Sequence, residues 1–186
     1  MFSHSRNSRK ATRAVQFALA AALIAGPAAY AAEPATGKFE LTAFSNTAAG
    51  DSLIRGDYEL AVQQLSTDAR SLARNTVNTN RCVALALTHQ LPAAHEACDT
   101  AVRDAQRELA NAPATELWSR SQYRDYLALA YSNRAVVNYL SHNDAAAQSD
   151  LAKAAAVAPK ADFVARNLTA LQSHTAVAQV SVGAQR

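Results

Sequence analysis

Residues 131–159, YSNRAVVNYLSHNDAAAQSDLAKAAAVAP, decide how this chain is read. Tyr131, Ala135, Val136 and Tyr139 recur at helical spacing before a polar break at residues 141–144. Ala147, Leu151, Ala154 and Ala155 recur after it, and Pro159 stops the second run. The spacing predicts two antiparallel helices joined by a tight turn at His142-Asn143.

The same arrangement recurs upstream. Gly56-Asp57 reads as a turn before a helix over 59–72, with Asp57 as its expected N-cap, and Ala61 and Leu65 stand to that turn as Ala147 and Leu151 stand to His142-Asn143. A second hairpin is expected from a helix over 80–88, a turn at 89–91 and a helix over 92–109. Pro92 falls in its first turn, where the missing N–H costs nothing, and Ala94, Cys98 and Ala101 take the places of Ala147, Leu151 and Ala154. From Gly56 to His89 is 33 residues and from His89 to His142 is 53, so the first gap is one ordinary repeat and the second holds a repeat plus about 19 extra residues within 103–129. They read as a lengthened helix, a break at 111–115 and a helix restarting at 116. After Pro159, Phe163, Val164, Leu168 and Leu171 mark one more amphipathic helix.

Residues 131–159 match, in register, the W-x2-L-G-x2-Y, A-x3-F and P positions of the tetratricopeptide repeat at Tyr131, Arg134, Ala135, Asn138, Ala147, Leu151 and Pro159. Arg134 stands for Leu, Ala135 for Gly, Asn138 for Tyr and Leu151 for Phe, so the resemblance lies in spacing more than in residue type. Over about 45–171 the chain resembles that family. The resemblance implies an all-α, right-handed solenoid of about three α-hairpins closed by a C-terminal capping helix. It also implies a concave face, lined by the first helix of each hairpin, that binds another protein or peptide.

The chain opens with four basic residues and no acid in 1–13, followed by the small apolar run 14–25 and an Ala29-Tyr30-Ala31 cleavage pattern. That order is a signal peptide, and its apolar run is too short to span a bilayer, which takes roughly 20 residues. The chain divides into a signal peptide at 1–31, an extended lead at 32–44, the repeat domain at 45–172 and a flexible tail at 173–186. A first helix reads over 42–55, overlapping the end of the lead. The formal net charge of +3 includes the four basic residues of the leader; without them acids exceed bases by one. A nucleic-acid partner would leave a basic footprint, and none remains. The mature product is expected to be periplasmic or secreted, with no membrane insertion once the signal is cleaved.

Export favours a disulfide. Cys82 and Cys98 lie equidistant from Gln90 in a turn, and the corresponding level pairs in the other hairpins are Ala49 with Leu65 and Ala135 with Leu151. Two buried free thiols are the alternative; a catalytic dithiol lacks its Cys-x-x-Cys spacing. His89, His95, Glu96 and Asp99 cluster in sequence and offer a second reading, a small metal-binding protein or enzyme. His89 belongs to a turn, however, and no zinc-type spacing is present. No catalytic set, cofactor or metal site is assigned, and the chain is not read as an enzyme. The binding candidates are Asn80, Asn133 and Asn167, at equivalent places on three first helices, with Val83, Leu87, Val136 and Tyr139 as apolar neighbours. A side-chain amide both donates and accepts, so such a row suits a partner's backbone, and Tyr139 would be its aromatic anchor.

Overall fold

The computed structural model describes residues 38–67, 74–113 and 117–183, all within the compact unit Glu33–Arg186. The expected signal peptide lies outside the described residues. Seven helices make up the described structure, without strands: α1 (Ala48–Arg55), α2 (Tyr58–Thr67), α3 (Arg74–Leu87), α4 (Leu91–Asn111), α5 (Leu117–Leu140), α6 (Asp144–Val157) and α7 (Asp162–Gly183). None is long and apolar enough to cross a membrane.

Three turns built alike set the helix pairs. Gly56, His89 and His142 have φ of 85°, 58° and 59°, the left-handed conformation that ends a helix. Around each, two hydrogen bonds close the helix end: Gly56 N–H to Leu53 and Asp57 N–H to Ser52, His89 to Ala86 and Gln90 to Leu85, His142 to Tyr139 and Asn143 to Asn138. The residue after the left-handed one then starts the next helix, its carbonyl accepting from Ala61, Ala94 and Ala147 respectively. Those three alanines are fully buried. One turn further on, Leu65, Cys98 and Leu151 are buried against Ala49, Cys82 and Ala135, so a small residue faces a larger one across the first and third of these close helix contacts. In the middle hairpin the pair is covalent: Cys82 and Cys98 form a disulfide with Cα atoms 4.8 Å apart.

Each helix packs on its neighbours in sequence, and α1, α3, α5 and α7 also touch in series. The long α4 and α5 bury an alanine-rich seam, Ala101, Val102, Ala105, Leu127, Ala128 and Tyr131, onto which Ala154, Ala158 and Val164 close. The expected lengthened helix, break and restart around 103–129 correspond to the ends of α4 and α5.

Helix ends and caps differ from expectation in several places, and α3 starts at Arg74, not at residue 80. Helix α1 starts at Ala48, not residue 42, because Thr47 caps it by accepting the Gly50 N–H at 2.9 Å, while 42–44 are drawn elsewhere. Asp57 directs its carboxylate to Arg55, 3.3 Å away, and only its backbone carbonyl caps α2. Helix α7 runs to Gly183 instead of ending near 172, held at His174 by ring contacts with Phe39 and Tyr139.

Candidate binding site

Asn80, Asn133 and Asn167 lie on α3, α5 and α7 with relative exposures of 0%, 1% and 0%. Amides buried this deeply need partners for both ends. They find them in the lead. Asn167 accepts the N–H of Glu40 at 2.7 Å and donates to its carbonyl at 2.9 Å. Asn133 does the same for Thr42 at 2.9 and 2.8 Å, and Asn80 for Phe44 at 2.8 and 3.0 Å. One amide therefore serves every second residue, which is the period at which an extended chain turns its N–H and C=O to the same side. The lead runs from α7 past α5 to α3, opposite to the order of the helices in sequence.

Further contacts lock the row. The Asn167 amide also donates to Ser132 Oγ at 2.8 Å, and that of Asn80 to Thr47 Oγ1 at 3.1 Å. A Cβ at Gly50 would lie 1.8 Å from the Phe44 carbonyl oxygen, so only glycine admits the lead where it joins α1.

Side chains of the lead alternate between two sides. Glu40 pairs with Arg166 at 2.5 Å, which pushes the arginine pKa up, and Phe44 meets Tyr126 edge-on at 5.0 Å. Burial, with the nearby Glu108 charge as a smaller cause, raises the Tyr126 pKa. On the other side Phe39, Leu41 and Ala43 border an apolar hollow of about 460 Å³ with Val83, Leu87 and Val136. Ile54 and Leu140 stand exposed at its rim.

The structure thus brings the three asparagines together on one side of the chain's own lead, and places Val83, Leu87 and Val136 beside them. Tyr139 is not an open anchor. Its ring is covered by Phe39 at 4.4 Å and His174 at 5.3 Å. What sequence reasoning missed was the occupant, together with Gly50, Ser132 and Arg166. A signal existed in the alternation of Phe39, Leu41 and Ala43 with Glu40 and Thr42.

The histidines do not converge. His89 borders the apolar hollow, whereas His95 borders a polar one and has Nε2 3.1 Å from Ser141 Oγ. Arg134 occupies that polar hollow, binding Asp150 at 2.7 and 2.8 Å and Asp99 at 2.9 Å. Hydrogen bonding to Asp150, foremost, raises the pKa of the guanidinium further. No group of three or more His, Cys, Asp or Glu side chains among the described residues is placed to hold a metal ion.

No family model matches the chain, and no curated protein or solved structure is detectably similar to it.

Proposed function

We propose that this is an exported protein–protein interaction module, tetratricopeptide-like in the stacking of its hairpins, that docks another polypeptide on the concave face formed by α1, α3, α5 and α7. The observation that carries this reading is that three buried amides, each spanning the N–H and C=O of alternate residues, hold the chain's own extended lead beside an apolar hollow with Ile54 and Leu140 exposed at its rim. Such pairing recognises backbone whatever the side chains are. A surface that organises an extended chain next to an apolar hollow suits protein recognition better than small-molecule chemistry. The buried Cys82–Cys98 disulfide is compatible with an oxidising compartment.

Capture from the envelope fraction of an exporting cell, followed by binding isotherms, tests the reading. Leu140→Glu places a charge beside the apolar hollow and should weaken the captured partner about tenfold or more. Glu96→Ala, on an exposed part of α4 away from the hollow, should leave affinity unchanged. Equal affinity for wild type and Leu140→Glu would place the interaction elsewhere.

A further inference from the structure

An extended chain has two edges, and the asparagines use only one of them. The N–H and C=O groups of Glu40, Thr42 and Phe44 face the helices; those of Phe39, Leu41 and Ala43 must face the opposite way. None of the latter has a hydrogen-bond partner among the described residues, and all three residues are only half-buried. The lead therefore presents an unpaired strand edge, held rigid from behind by six amide hydrogen bonds. Unpaired edges of this kind are templates for a further strand.

We propose that this outer edge is a strand-addition site, at which an extended segment of the partner polypeptide pairs antiparallel with Phe39, Leu41 and Ala43. The proposal rests on the protein-binding reading above and specifies how the partner engages. An added strand lies about 4.8 Å from the lead. Residues directly opposite one another point their side chains to the same side, so partner residues facing Phe39, Leu41 and Ala43 project over the hollow lined by Val83, Leu87 and Val136. Among the described residues no carboxylate, lysine or arginine borders that hollow, and its imidazole is that of His89. The site accordingly selects aliphatic or β-branched side chains at alternate positions. On the other side the Glu40–Arg166 pair is already neutralised, so the intervening partner residues are uncharged polar ones. The new interface is continuous with the one that holds the lead, and the partner leaves the lead in place.

The probe is a fluorescein-labelled peptide of alternating valine and threonine with a lysine at each end, titrated by polarisation with the mature protein. Wild type and Ala43→Ser should bind it equally. Ala43→Pro removes one outer N–H and places a ring on that edge, while the Thr42 and Phe44 amides stay available to Asn133 and Asn80. It should weaken binding about tenfold or more, the weight of one or two hydrogen bonds. Protection of the Thr42 and Phe44 amides in this variant verifies that the lead is still docked. N-methylating the valines of the probe should abolish binding, and N-methylating the threonines should spare it. Unchanged affinity for Ala43→Pro, or for the valine-methylated probe, overturns the proposal. Tighter binding by Ala43→Pro would mean that the peptide takes the lead's place, which overturns strand addition but keeps the protein-binding face. A captured partner sensitive to Leu140→Glu, in a protein that ignores the probe, has the same meaning. A dimer dispersed by Ala43→Pro would assign the edge to a second copy and overturn the proposal as well.

Discussion

Asn133 closes a ring of two hydrogen bonds with Thr42, accepting its N–H at 2.9 Å and donating to its carbonyl at 2.8 Å across 91 positions of sequence. This is the middle of three such rings, and loosening it should be felt along the whole lead. Asn133→Ala leaves the Thr42 N–H and C=O unpaired in a half-buried place, so it should cost about 1–3 kcal/mol by urea unfolding. Asn133→Asp should cost more, because its carboxylate sets a second acceptor against the Thr42 carbonyl. Equal stability of wild type and both variants would mean that the ring contributes nothing.

Gly50 supplies the second prediction. A Cβ there would meet the Phe44 carbonyl oxygen at 1.8 Å, and the obstacle is backbone, not a side chain that can swing aside. Gly50→Ala should destabilise by about 1–3 kcal/mol, the usual cost of forcing extra volume into a close contact. In an ordinary exposed helix the same change would stabilise. The sign of the change in melting temperature decides the matter.

How much of this was legible in the sequence depends on whether the signal was local. The turns at Gly56, His89 and His142 were readable because a polar break flanked by apolar runs is a local feature, as was the level placement of Cys82 and Cys98. The equivalence of Asn80, Asn133 and Asn167 followed from their register within each hairpin. Their occupant did not, because the rings reach 36, 91 and 127 residues back to backbone atoms, which carry no side-chain signature. Thr42, Ala43 and Phe44 were read as helix since nothing local says that Thr47 caps α1 behind them. The continuation of α7 past residue 172 was equally hidden: the ring contact of His174 with Phe39 spans most of the chain.

The disulfide makes a third prediction. Closing a loop across a separation of 16 residues should contribute about 3 kcal/mol, chiefly by restricting the unfolded chain. Reduction should lower the melting temperature while far-ultraviolet dichroism stays helical. The double variant Cys82→Ala, Cys98→Leu copies the Ala135–Leu151 pair of the third hairpin and should retain the fold without the bridge. Loss of helicity in that variant would contradict the equivalence of the hairpins.

Glu108 gives a prediction in pH. Burial raises its pKa from the ordinary 4.5, partly opposed by the Asn75 amide donating to it at 3.0 Å. An acid whose pKa is raised on folding favours the folded state when protonated, so it costs stability above its folded pKa, and that cost fades as pH falls toward 4.5 and below. Glu108→Gln should thus stabilise at neutral pH by no more than about 1 kcal/mol, given its partial exposure, with the advantage vanishing in acid. A difference that grows as pH falls would reverse the sign and refute the argument.

The most direct test of the account is residue-resolved amide hydrogen exchange across 39–44. The asparagine row uses the N–H groups of Glu40, Thr42 and Phe44, and those of Phe39, Leu41 and Ala43 have no partner among the described residues. Slow exchange at 40, 42 and 44 alternating with fast exchange at 39, 41 and 43 is the predicted result. Uniformly fast exchange over the segment would contradict it, since the lead would then not be held by the amides at all.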